Sequence, residues 1–126
     1  MAVIHAQRAD RRGNVQLWGL AGVQKEAVLA AKRSIATVEE IVDELEPRPN
    51  AVVLPSWVVS AVCEEPGGAH PSYAQSYSVR DNDFYRAWDE ISRERAQFTA
   101  WIDRYVRGTE NFAEYQRAVA AEVSRA

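Results

Sequence analysis

Apolar and polar positions alternate first with a period of two and later with a period near 3.6, and the change of period lays out the chain. Residues 2–7 form a short, mostly apolar run. The charged, turn-forming stretch Arg8-Ala9-Asp10-Arg11-Arg12-Gly13-Asn14 closes it, after which Val15, Leu17 and Gly19 alternate with Gln16 and Trp18. That pattern predicts strand, turn, strand. From Gly22 the period lengthens: Val23, Ala27, Ala30 and Ala31 fall on one helical face, and Gln24, Lys25, Glu26, Lys32 and Arg33 on the other. Residues 34–38 regain β-branched character, and Thr37-Val38-Glu39-Glu40 has the spacing of a capping box, which predicts a short helical turn through Leu45. Pro47 and Pro49 bar a helix across residues 46–50. The apolar runs 51–54 and 57–63, on either side of Pro55, read as strands covered on both faces. The first 63 residues thus read β-β-α-β-β-β.

Residues 64–80 are rich in Pro, Gly, Ser and Tyr and carry no period, so an ordered loop is expected there. Asp81, Asn82 and Asp83 offer N-caps to a helix in which Phe84, Trp88, Ile91, Phe98, Ile102 and Tyr105 make a stripe interrupted only at Arg95. Gly108 should end that helix, and Thr109 should cap a last one with Phe112, Tyr115, Val119 and Val123 on one face. The expected fold class is α/β: an open, mixed but mostly parallel sheet with covering helices over residues 1–80, followed by a C-terminal helical pair over 81–126. Trp101 and Tyr85 broaden the apolar stripe of that pair, which raises a contact with another chain as a second use for it.

Composition narrows the function classes. With 126 residues the chain has the size of one common domain, and 47% hydrophobic against 26% charged residues is the balance of a folded chain and not of a disordered one. The formal charge is -3 and basic side chains are interleaved with acidic ones, so no face is basic enough for nucleic acid. The longest apolar stretch is broken by Pro55 and Ser56 and is too short to span a bilayer, and the N-terminus lacks the basic segment of a signal peptide. The single Cys63 can close no disulfide within the chain and reads as a small apolar strand residue. A cytoplasmic protein is expected.

Three segments are candidates for chemistry. His5 and Asp10 could act as an acid/base pair, but five extended residues separate them by roughly 15 Å. The structural reading is a strand end in which Asp10 bonds turn amides and Gly13 supplies a positive φ. The second segment, Glu64-Glu65-Pro66-Gly67-Gly68-Ala69-His70-Pro71-Ser72, sets adjacent carboxylates beside a glycine pair that allows close backbone approach to a ligand. The third is the aromatic stripe of the C-terminal helices, whose spacing is that of a packed core. No Cys/His cluster has metal-ligand spacing, and no phosphate-binding glycine motif is present.

Particular strings carry a resemblance that period and composition do not. His5-Ala6-Gln7-Arg8-Ala9-Asp10 with Gly13-Asn14-Val15, then Gly22-Val23, Ala27 through Ala31 and Thr37-Val38-Glu39-Glu40-Ile41-Val42, resemble the A-type polypeptide of two-subunit, glutaconate-type coenzyme A transferases. Leu54-Pro55, Trp57-Val58-Val59, the segment Pro66 through Ser72 and Arg80-Asp81-Asn82-Asp83-Phe84-Tyr85 are similar to the same polypeptide in the same order. The resemblance implies an open α/β fold and transfer of CoA between an acyl-CoA thioester and a carboxylic acid. It implies a B subunit that holds the nucleophilic glutamate, so no catalytic nucleophile is assigned here. The acyl-CoA is a substrate, and no permanently bound cofactor or metal is expected. The substrate-facing element implied in this chain is Gly67, Gly68, Ala69 and His70, with backbone amides toward a carboxylate or thioester oxygen and His70 orienting the substrate. The preceding half of the family's A-type polypeptide has no counterpart in the sequence, so the expectation is a C-terminal segment that is inactive in isolation and whose sheet is incomplete. Two alternatives share the scaffold: a hydrolase or ring-opening enzyme acting on a CoA ester, and a non-catalytic assembly module.

Overall fold

The structure, a computed structural model, describes residues 1–123. It contains two compact units, one of residues 1–80 and one that begins at Asp81. In the first unit β1 (Ala2–Asp10) is the central strand of a five-stranded sheet, and β2 (Val15–Leu17) folds back antiparallel beside it. The helix α1 (Gln24–Ala30) returns the chain to β3 (Ser34–Val42), which runs parallel to β1 with His5 opposite Thr37 and Ala6 opposite Val38. β4 (Val52–Leu54) pairs antiparallel with β2, and β5 (Ala61–Glu64) pairs parallel with β3, giving the order β4-β2-β1-β3-β5. The open, mixed sheet expected from the sequence is present. Among the described residues both outer strands have a sheet neighbour on one side only.

Period-two alternation sorts the faces of β1 and β3. Ile4 and Ala6 line up with Ala36 and Val38, and Val28 of α1 joins them in a buried cluster with Val15, Leu17 and Leu54. The other face carries His5, Thr37 and Glu39.

The turn after β1 follows the expected chemistry. Asp10 Oδ1 accepts from the Arg12 and Asn14 amides, each at 2.9 Å, Oδ2 accepts from Asn14 Nδ2 at 2.7 Å, and Gly13 takes φ +86°. Burial alone would raise the Asp10 carboxyl. The bonds from Asn14 and Arg12 outweigh it and hold the group below the usual aspartate value. A lowered folded value stabilises the fold above the unfolded titration point, and that contribution fades as pH falls through the folded one. In urea unfolding from neutral pH to about pH 3, wild type should therefore lose its advantage over Asp10→Ala toward the acid end.

Several local expectations are corrected. The Thr37-Val38-Glu39-Glu40 segment is not a helix start: β3 continues through Val42, because Glu39 and Glu40 find side-chain partners across the sheet instead of capping their own backbone. The run 57–63 is not one strand. Ser56–Val58 forms a 3-10 turn and pairing resumes only at Ala61. Coverage on both faces fails for the outer part of the sheet, where Val53 is 50% exposed and Trp57 is 80% exposed. Cys63, read as a small apolar group, is exposed because β5 is an outer strand.

In the second unit Asp81 caps α2 (Asn82–Arg93) by accepting from the Phe84 amide at 2.8 Å. Glu94 is extended, at φ -107° and ψ 117°, and splits the expected long helix into α2 and α3 (Arg95–Ile102), with a π-helical turn over Asp103–Arg107. The break falls beside Arg95, where the apolar stripe is interrupted. Rings from both sides still pack, with the Trp88 and Trp101 centroids 4.9 Å apart. The last helix, α4 (Phe112–Val123), is capped by Asn111, whose Oδ1 accepts from the Glu114 amide at 3.0 Å. Thr109, the expected cap, donates its hydroxyl back to the Tyr105 carbonyl at 3.0 Å and closes the preceding turn. The side chain of Val123 lies outside the described residues, as do positions 124–126.

Candidate functional site

The polar face of the β1–β3 pair is the floor of the site. Because His5 and Thr37 are paired in register, their side chains meet, and Glu39 stands two residues further along the same face. His5 Nδ1 lies 2.9 Å from Thr37 Oγ1, and Nε2 lies 3.0 Å from Glu39 Oε1. The Glu39 side chain is only 4% exposed, and its second oxygen accepts the Gly67 amide at 2.7 Å. One buried carboxylate therefore joins the imidazole to the loop above it. Gly67 takes φ +78°, and Gly68 lies so close to the ring that a Cβ there would come within 2.9 Å of both His5 Nδ1 and the Glu65 carbonyl oxygen. Gly68 is a packing requirement of the histidine beneath it, and Gly67 of its own left-handed backbone.

Between this loop and β2 lies a cavity of about 310 Å³, bounded by His5, Gln7, Trp18, Gln24, Ser72 and Tyr73, with Leu20, Gly68, Ala69 and Ala74 completing the wall. Trp18 is a rigid side of it. Gln7 grips its backbone twice, donating to the Trp18 carbonyl and accepting the Trp18 amide, each at 3.1 Å. The Arg48 guanidinium stacks over the indole at 4.1 Å. The buried Trp18 Nε1 has no acceptor among the described residues, a deficit worth on the order of 1–3 kcal/mol.

A second cluster fastens the far end of the loop. Arg8 Nε donates to Tyr77 Oη at 2.7 Å, and the Tyr77 hydroxyl donates to Glu40 Oε2 at 2.8 Å. Burial, together with the bond to Glu40, raises the Tyr77 phenol above its ordinary value, while Arg8 pulls it down.

Of the four residues singled out from the sequence, Gly68 and Ala69 border the cavity. The Gly67 amide is taken by Glu39. His70, half-buried, donates its amide to the Gly67 carbonyl at 3.0 Å and does not border the cavity. The Gly68 amide is bonded to the Glu65 carbonyl, so the Ala69 N–H is the one amide of the four with no bond among the described residues. Asp10, weighed from the sequence as an acid/base partner of His5 but read there as a turn residue, does bond its own turn, and the acid beside His5 is Glu39. The signal was present as two period-two patterns, His5-x-Gln7 and Thr37-x-Glu39, which meet only once the strands are paired in parallel. Glu64, one of the adjacent carboxylates, accepts the Ile41 amide at 2.7 Å. Among the described residues no three His, Cys, Asp or Glu side chains are grouped to hold a metal ion. No described helix is long and apolar enough to cross a membrane.

An open, mixed sheet with a loop-walled cavity on its polar face is a kind of place where small-molecule sites are found. The family profile described as coenzyme A transferase matches residues 1–65, and the chain belongs to that family. It is 64% identical over 120 residues to the A-type polypeptide of the 3-oxoadipate CoA-transferase of Pseudomonas knackmussii, a match that covers 95% of this chain and 43% of that one. It is 34% identical over 123 residues to the A-type polypeptide of the glutaconate CoA-transferase of Acidaminococcus fermentans, covering 96% of this chain and 38% of that one. The crystal structure of the Acidaminococcus fermentans glutaconate coenzyme A-transferase superposes with a TM-score of 0.81 at 32% identity, over 96% of this chain and 39% of that chain. The cholesterol ring-cleaving hydrolase IpdA subunit of Mycobacterium tuberculosis is 33% identical over 123 residues, covering 94% and 41%. The chain therefore spans about two fifths of the length of these relatives.

Proposed function

We propose that the chain is the C-terminal segment of the A-type polypeptide of a CoA-transferase, acting with the remainder of that polypeptide and with a B subunit. The reaction exchanges CoA between an acyl-CoA thioester and a free carboxylate: the donor leaves as its acid and the acceptor leaves as the new thioester. The nucleophilic glutamate comes from the B subunit, and passage through an acyl anhydride and an enzyme thioester divides the exchange into easier steps. On this reading the acyl-CoA is a substrate, no cofactor is permanently bound, neither nucleic acid nor membrane is a partner, and the enzyme works in the cytoplasm. Within the loop Gly67, Gly68, Ala69 and His70 the substrate-facing part is Gly68 and Ala69, with the Ala69 amide as donor to an oxygen of the acyl-CoA.

The observation that carries this reading is the 64% identity, collinear over 120 residues, with a polypeptide named for 3-oxoadipate. It supports 3-oxoadipate as the acid. In the test, unlabelled 3-oxoadipyl-CoA and isotopically labelled 3-oxoadipate are incubated with the assembled two-subunit enzyme. Label should enter the thioester while the pool of free CoA stays constant. A complex that forms yet moves no label overturns the assignment, and release of free CoA without an acid acceptor replaces transfer by hydrolysis.

A further inference from the structure

We propose that the cavity above His5 receives the uncharged pantetheine arm of the CoA thioester and not the carboxylate of the acid substrate. The inference rests on the CoA-transferase reading and adds to it the part of the substrate that this chain holds. Its basis is the charge of the walls. Among the described residues that border the cavity there is no arginine, lysine, aspartate or glutamate, and His5, the one titratable base, has both ring nitrogens engaged by Thr37 and Glu39. A carboxylate entering here would give up its water without meeting a cation or a bidentate guanidinium. Two guanidiniums nearby are turned to other work, Arg8 to Glu40 and Tyr77, and Arg48 to the Trp18 ring.

What the walls do offer suits a neutral chain of methylenes and amides. Leu20 supplies exposed apolar surface, with Ala74 and the Trp18 ring packed almost wholly behind the wall. Among the described residues the side chains of Gln24, Ser72 and Tyr73 have no hydrogen-bond partner, and neither has the Ala69 N–H. Together they provide donors and acceptors for amide groups spaced along an extended ligand, in a cleft whose wall is more polar than apolar yet carries no formal charge. The Trp18 indole, packed almost wholly behind the same wall, is close enough to report on occupancy of the cavity. All of these groups belong to residues 5–74 of one compact unit, so binding is expected in the chain alone.

The test is a titration of the isotopically labelled full chain, followed by amide and indole cross-peaks, with pantetheine, with adipate and with adenosine 3',5'-bisphosphate as separate probes. Pantetheine should shift the Ala69 amide and the Trp18 indole saturably, with a Kd on the order of millimolar. The dicarboxylate and the nucleotide should leave those signals in place. Gln24→Leu and Ser72→Ala should each weaken pantetheine roughly tenfold or less, and the double variant more, while the remaining cross-peaks show the fold intact. The proposal is overturned if pantetheine moves neither signal, if adipate moves them as strongly, or if the double variant binds as wild type does. These outcomes are independent of the exchange assay. Label exchange in the assembled enzyme with no pantetheine response in the chain sinks this inference alone, and pantetheine binding without exchange sinks the transfer reading alone.

Discussion

Replacing Glu39 with alanine should destabilise the first unit by about 2–5 kcal/mol, because it leaves two donors in a mostly buried site without an acceptor, at roughly 1–3 kcal/mol each. The substitution strands two groups at once. His5 Nε2 loses its acceptor at 3.0 Å, and the Gly67 amide loses one at 2.7 Å, both where little water reaches. Glu39→Gln keeps an oxygen for Gly67 and should cost distinctly less. A buried pair is poor evidence that a fold needs it for stability, because apolar replacements of similar shape are often as stable. The double variant His5→Leu with Glu39→Leu should accordingly regain part of the loss while leaving the Gly67 amide unmatched. Urea unfolding, with hydrogen exchange of the β1 and β3 amides as the local readout, measures all three. If Glu39→Ala matches wild type in both, the linchpin role of Glu39 is wrong.

Gly68→Ala should also be costly, by about 1–3 kcal/mol, for a steric reason and not a conformational one. The added Cβ would sit 2.9 Å from the Glu65 carbonyl oxygen, which is backbone and cannot swing aside, and 2.9 Å from His5 Nδ1. Loop or histidine has to move, and either movement reshapes the cavity wall. Shortening the histidine relieves one of the two clashes, so His5→Ala combined with Gly68→Ala should destabilise less than the sum of the single substitutions. Thermal unfolding of the four proteins of that cycle gives the coupling. Strict additivity would show that the loop does not rest on the ring.

The helix α1, the helical character of the C-terminal stretch, the loop over residues 64–80 and the Asp10–Gly13 turn were legible in the sequence because each depends on neighbours within a few residues. The capping-box reading of Thr37 to Glu40 shows where that logic stops. Locally a hydroxyl two or three residues before a carboxylate satisfies helix amides, but here eight backbone pairings with β1 hold the segment extended and both glutamates bond across the sheet. The break at Glu94, next to Arg95, was not foreseen, because the stripe on its own reads as one helix. The coenzyme A transferase resemblance was also readable from strings such as His5 to Asp10 and Pro66 to Ser72.

The sequence by itself determined most of the strands, helices and turns, and which family they resemble, since these rest on period, turn chemistry and residue strings. Only the tertiary structure decided that His5 answers to Glu39, that Gly67 gives its amide to the same carboxylate, and that Trp18 and Ser72 border one uncharged cavity. Those meetings join residues about 30 to 55 positions apart in the chain, and they exist only once parallel pairing has fixed the register of β1 against β3.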